Sequence, residues 1–169
     1  MHEEPKGRGG WWVVAQIPLL AATIVAPVAE HLLARAETWA PVVAWPSRLL
    51  GLTALTASCI TFSATKRALG SYLVAYPKPL EGATLRRERL YALVRHPMYL
   101  AIIGGVAGWA LLWTSVLGLL LAVACAAFFA LKTVYEERFL RARFPEYSEY
   151  ARSVPRLIPR LRAGNRRVP

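Results

Sequence analysis

The chain has 169 residues, 56% of them hydrophobic, and 21 Lys and Arg against ten acidic residues give a formal charge of +11. A soluble domain of this length would need a polar shell around one core, whereas here the charged residues fall in blocks between apolar runs long enough to cross a bilayer. That excludes a water-soluble globular domain, and the positive charge beside the apolar runs suits cytoplasmic loops and an anionic lipid surface rather than nucleic acid, for which no binding motif is present.

The first predicted span covers Trp11 to Ala29. Its Trp pair suits headgroup level, and Pro18 and Pro27 predict kinks. The small residues of "APVAE" raise the alternative of a cleaved signal peptide; against it, the apolar run is long for an h-region and Glu3 and Glu4 precede it. Glu30 to Arg48 reads as a short polar, proline-containing connection, and a second span follows over Leu49 to Leu69. Cys59 and Cys125, each inside a span, have no partner at metal or disulfide spacing and read as small buried apolar side chains.

Lys66 to Arg95 is a loop of mixed character, and the prolines and glycine of "YPKPLEGATLRRER" argue against one continuous helix. A third span over Pro97 to Trp113 and a fourth over Ser115 to Val134 are joined by almost nothing, which predicts a tight antiparallel hairpin. Gly104 and Gly108 form a GxxxG pair that permits close helix contact.

The predicted fold class is all-α: a polytopic membrane protein with about four transmembrane helices and an interfacial C-terminal amphipathic segment. It reads as a single membrane domain, with residues 1–69 as two N-terminal spans, 70–96 as a cytoplasmic loop, 97–134 as the helical hairpin and 135–169 as a cytoplasmic tail. Seven Lys and Arg from Lys66 to Arg95, and ten more from Lys132 onward, place both basic segments and both termini on the cytoplasmic side.

One stretch, "LYALVRHPMYLAIIGG", joins a basic loop to an apolar helix. His96-Pro97 reads as a helix start, since proline suits the first helical position and disfavours helix in the residue before it. Met98 and Tyr99 would then present unpaired amides beside Arg95 and His96, a socket for a carboxylate or phosphate. The alternative is an interfacial anchor, with Arg95 on lipid phosphate and Tyr99 at headgroup depth. Further on, Lys132 and Glu136 of "LKTVYEERFLRARF" lie four apart and share a helix face, as a solvated ion pair or as part of a site with Glu137. The tail "RFPEYSEYARSVPRLIP" places Phe144, Tyr147, Tyr150 or Ala151, and Val154 at helical spacing, as in a segment lying on the membrane. No Ser-His-Asp or metal-ligand cluster is visible.

The run "TLRRERLYALVRHPMYLA", a helical hairpin, then "EERFLRARFPEYSEYARSVPRLIP" resembles the isoprenylcysteine carboxyl methyltransferase family and the related phospholipid N-methyltransferases, over about Thr84 to Pro159. The resemblance implies an enzyme of the bilayer that moves a methyl group from S-adenosylmethionine to a hydrophobic or lipidic acceptor, with no metal. Carried over residue by residue, Ala83, Thr84, Leu85, Arg86, Tyr91, Arg95, His96, Pro97, Met98, Tyr99 and Glu136 would contact the cofactor. Lys132 stands where the carboxyl methyltransferases have an arginine that meets the substrate carboxylate; it keeps the charge but lacks the bidentate fork. Arg89 and Ala101 stand where the family usually has glycine. Glu137 or Tyr135 would assist the deprotonation of an amine acceptor. Two other readings are an NADPH-using enzyme like the sterol reductases and a non-enzymatic four-helix membrane protein. A transporter of the latter kind would hold an ionisable residue mid-membrane, whereas Glu30 and Lys132 read as lying near span ends.

Overall fold

A computed structural model describes residues 10–34, 39–70 and 84–159. Within them lie α1 (Gly10–Ala34), α2 (Pro41–Leu69), the single turn α3 (Leu90–Leu93), α4 (Pro97–Leu112), α5 (Val116–Arg143) and the short α6 (Tyr147–Ser153). The described residues are helical or irregular, as the sequence predicts. Ala83 falls outside them.

Helices α1, α2 and α5 are long and apolar enough to cross a membrane, while α4 is apolar but shorter. With 16 residues, α4 is about 24 Å long, somewhat less than the roughly 30 Å of a bilayer's hydrocarbon core. It is therefore the short arm of the predicted hairpin. Thr114, with φ at 49°, reverses the chain between the two arms. The N-terminal end of α5 is capped twice: Ser115 Oγ accepts from Gly118 N at 2.7 Å and donates to Glu30 of α1, whose carboxylate also accepts from Leu117 N at 3.2 Å. An anion there satisfies orphan N–H groups and complements the positive helix end.

The end of α1 and the start of α2 differ from expectation. α1 continues through Glu30 to Ala34, and α2 starts at Pro41, not Leu49. Pro41 occupies the first turn, where its missing N–H costs nothing, and Pro46 follows inside the helix. Most of the expected polar connection is thus helical.

The bundle runs up and down, with α1 against α5 and α4 packed along α2. The α2–α4 contact is close because glycine meets glycine. A Cβ on Gly51 would lie 2.6 Å from the Gly108 carbonyl oxygen, and one on Gly108 would lie 2.8 Å from the Gly51 carbonyl oxygen. Gly104 faces the same helix, at Ser58, so the GxxxG pair is a packing surface for α2. Exposed leucines, isoleucines and valines cover the outward faces of α1, α2 and α5, as lipid contact requires. The chain is an integral membrane protein.

Candidate functional site

The antiparallel hairpin brings the start of α4 and the later turns of α5 to one end of the bundle. Pro97 opens α4 at its first turn, with His96 before it outside the helical region at φ −124° and ψ 65°. That leaves His96 and Arg95 facing α5, and the chain beyond α6 folds back over them: Arg95 N donates to Pro155 O at 2.9 Å and His96 N to Arg156 O at 3.1 Å. The tail is also tied through Tyr150, whose hydroxyl donates to Tyr91 O at 2.6 Å. Burial pushes the Tyr150 and Tyr91 hydroxyls up to about 12, so both remain protonated donors at any physiological pH. The sequence predicted this tail as a membrane-surface segment; Tyr147 and Tyr150 are buried against protein, while Ile158 beyond them is exposed.

Glu136 and Glu137, adjacent on α5, point in different directions. Glu137 is buried, and its Oε1 accepts from Arg95 Nε and Nη2 at 3.0 and 2.8 Å and from Arg156 Nε at 3.0 Å. Arg156 Nη2 reaches its Oε2 at 3.1 Å. The remaining Arg95 nitrogen, Nη1, donates to the carbonyls of Ala151 and Val154 at 2.7 and 2.5 Å. One carboxylate and one guanidinium therefore pin α5, the start of α4 and the tail together. Such a charge is tolerated inside protein because every lone pair has a donor.

Glu136 faces α4. Its Oε1 accepts from the Tyr99 hydroxyl at 2.5 Å and lies 4.0 Å from Lys132 Nζ, while Oε2 is 3.9 Å from His96 Nδ1. His96 Nε2 is 3.3 Å from Glu137 Oε1, so the imidazole stands between the two glutamates. Tyr99 is stacked between His96, at 5.8 Å and 11°, and Phe129, at 4.8 Å and 29°. Lys132 is 1% exposed, its Nζ donating to Gln16 Oε1 of α1 at 2.8 Å and lying 5.3 Å from the centre of the Tyr99 ring. α5 runs on to Arg143, so Lys132 lies inside the helix, which continues beyond the predicted end of the fourth span at Val134.

Of the residues singled out in the sequence, Arg95, His96, Tyr99, Lys132, Glu136 and Glu137 form this one cluster. Pro97 is buried and Met98 half-buried at its edge, and Thr84, Leu85 and Arg86 precede α3 as irregular chain. Arg89 adopts φ 54°, a conformation natural to glycine, and Ala101 is buried. Gln16 and Arg156 were missed. Gln16 could have been noticed as an amide inside an apolar span; Arg156 is one of many tail arginines and carries no such signal. Among the described residues no group of three or more His, Cys, Asp or Glu is arranged to hold a metal ion.

A profile of the family described as phospholipid methyltransferase matches residues 46–147. Methanethiol S-methyltransferase 2 of Bradyrhizobium diazoefficiens is 39% identical over 88 residues, 52% of this chain and 33% of that protein. Cobalt-zinc-cadmium resistance protein CzcN of Cupriavidus metallidurans is 39% identical over 79 residues, 46% of this chain and 37% of its own length. Nickel-cobalt-cadmium resistance protein NccN of Alcaligenes xylosoxydans xylosoxydans is 35% identical over 72 residues, 42% of this chain and 34% of its own. The matched region thus spans about a third of the length of each relative. No solved structure matches the chain significantly.

Proposed function

The chain belongs to the phospholipid methyltransferase family, and from that premise we propose that it is a membrane methyltransferase, using S-adenosylmethionine to methylate a hydrophobic or lipidic acceptor at the cytoplasmic surface. The observation that carries the reading is the Tyr99–Glu136–His96 cluster. It joins a carboxylate only 12% exposed, a histidine and stacked aromatic rings at one end of the bundle.

That donor set fits the cofactor's groups. The Glu136 carboxylate, already beside Lys132 and His96, suits an ammonium, and His96 with the first-turn amides of Met98 and Tyr99 suits a carboxylate. The faces of Tyr99 are taken up by His96 and Phe129, and the half-buried Tyr91 ring would be the aromatic face for a sulfonium. Thr84, Leu85, Arg86 and Tyr91 would flank this end and line the remainder of the cofactor, and Ala83 would adjoin them in chain order. Pro97 fixes the helix start from which His96 and Tyr99 project. When bound, the cofactor supplies a methyl group on an electrophilic sulfonium.

The chain's own task is alignment and water exclusion, since an in-line displacement needs neither a covalent intermediate nor a metal. Arg95 and Glu137 act as positioning residues in this reading: with both groups committed to each other, to Arg156 and to tail carbonyls, they hold His96 and leave Glu137 no role as a proton acceptor. The basic residues of α2's last turn, Lys66 and Arg67, lie at the site's end of the bundle, which supports a cytoplasmic site. The methanethiol enzyme among the relatives supports a small nucleophile as one class of acceptor.

The test is binding of S-adenosylhomocysteine to the detergent-purified protein. Saturable binding that raises the thermal midpoint, and is lost in Glu136→Ala or His96→Ala, is the expected result. The same affinity in both variants, or no binding to the wild type, overturns the proposal.

A further inference from the structure

We infer that the groove between α2 and α4 binds an anionic phospholipid that is not a substrate, with one acyl chain in the groove and the headgroup phosphate on Lys66 and Arg67. The inference does not depend on the methyltransferase reading.

α2 and α4 meet backbone to backbone where Gly51 faces Gly108, and they part toward the end that carries His96. A Cβ on Gly105, nearer that end, would lie 3.6 Å from the Ser58 Cβ, an ordinary contact and not a clash. The opening is a groove of about 240 Å³ lined by Ser58, Cys59, Phe62 and Ser63 of α2 and by Ala101 and Gly105 of α4. Pockets that enclose a whole small molecule run to roughly 300 to 1,000 Å³, so this one takes a length of hydrocarbon chain and leaves the rest of its owner outside. Cys59 and Ser63 are exposed and Phe62 is 39% exposed, which opens the groove outward to lipid.

Cys59, Phe62, Ser63, Lys66 and Arg67 recur at helical spacing and share one face of α2. Lys66 and Arg67, in the last turn, lie about 4 to 6 Å further along the axis than Ser63. Two cations therefore stand at the mouth of the groove. Both are exposed, and neither side chain makes an ion pair or hydrogen bond within the described residues. Hydrocarbon and phosphate meet their complements in the order a lipid presents them. Lipid tails are as apolar as leucine, so the groove gains no hydrophobic energy by taking one from the bilayer. Selection comes instead from charge, about fivefold for each Lys or Arg near an anionic headgroup.

The observations disfavour two other occupants. In a symmetric dimer within one membrane, the same residues meet at the same depth, so Lys66 and Arg67 of two copies would face one another and repel. A methyl acceptor would have to reach the cluster around Glu136, and α4 stands in the way. Tyr99 points to Glu136, whereas Ala101 and Gly105 lie about 200° and 240° further round the helix.

The experiment titrates the purified full chain, in zwitterionic detergent, with dioleoylphosphatidylglycerol or dioleoylphosphatidylcholine and reads the single-lipid adduct by native mass spectrometry. Phosphatidylglycerol is expected to half-saturate at about a tenfold lower concentration than phosphatidylcholine. Lys66→Gln combined with Arg67→Gln is expected to bring the two lipids level. Ser63→Trp keeps both cations and fills the groove from an exposed position, and is expected to weaken phosphatidylglycerol about tenfold. Cys59→Trp does the same from one turn away and replaces it if Ser63→Trp does not fold. Glu136→Ala is expected to bind the lipid as the wild type does. Equal affinity of the wild type for both lipids, an unchanged affinity in a folded tryptophan variant, loss of the lipid in Glu136→Ala, or a dimer in place of the adduct overturns this inference. None of these outcomes touches the binding of S-adenosylhomocysteine, on which the methyltransferase reading is tested separately.

Discussion

Arg95 and Glu137, 42 residues apart, are joined by two nitrogens of one guanidinium on a single carboxylate oxygen. Both are almost fully buried, with side chains 8% and 1% exposed, and neither depends on water for its remaining contacts. The pair is the point at which the hairpin and the tail become one body.

Glu137→Gln keeps the shape and removes the charge, leaving the Arg95 guanidinium buried without a counter-ion. The expected loss is about 3 to 5 kcal/mol of stability, the usual result of deleting one partner of a buried pair. Thermal unfolding in detergent measures it, and a midpoint equal to wild type would contradict the role assigned to Glu137.

Glu136→Gln should behave differently. The Tyr99 hydroxyl can donate to an amide oxygen as it does to the carboxylate, so stability changes by no more than about 1 kcal/mol. Donor affinity, which in the proposed site needs the negative charge, falls about 10- to 100-fold. Titration with S-adenosylhomocysteine beside the unfolding curve separates the two quantities.

At the α2–α4 contact, Gly51→Val forces a side chain onto backbone. Its Cβ would come within 2.6 Å of Gly108 O and 2.7 Å of Leu112 N, and neither atom belongs to a side chain that can rotate away. A loss of about 1 to 3 kcal/mol or more is expected, read from the unfolding midpoint. Gly10→Ala is the control, since a Cβ there meets nothing within 4 Å.

Arg89→Gly is expected to stabilise the chain. Arg89 has φ 54° and ψ −119°, a region that costs a residue with a Cβ about 1 to 3 kcal/mol. Glycine forfeits about 0.5 to 1 kcal/mol of that through its freer unfolded state. A net gain of about 1 kcal/mol in unfolding free energy is the outcome to measure.

Much of the bundle was legible in the sequence because each apolar run is uninterrupted and His96-Pro97 marks a helix start by local sterics alone. The start of α2 was not, since Pro41 and Pro46 look the same in a sequence although one opens the helix and the other is absorbed by it. The two glutamates were equally opaque. Adjacent identical residues differ only in helical phase, and phase is set by where α5 begins and what packs on it. The burial of Lys132 was not legible either, because hydropathy ends a span where charge begins, whereas the helix continues and buries that charge against Gln16, Glu136 and the Tyr99 ring.

The carbonyl groups that receive the Arg95 guanidinium and the Arg95 and His96 amides belong to residues 151–156, downstream of every apolar helix among the described residues. A chain cut after Arg143 would keep α1, α2, α4 and α5 while lacking those acceptors, and the His96 ring would be left with Glu136, Glu137 and Tyr99 alone. Loss of that short segment alone would leave the bundle intact and the Arg95 end of the hairpin without its cover.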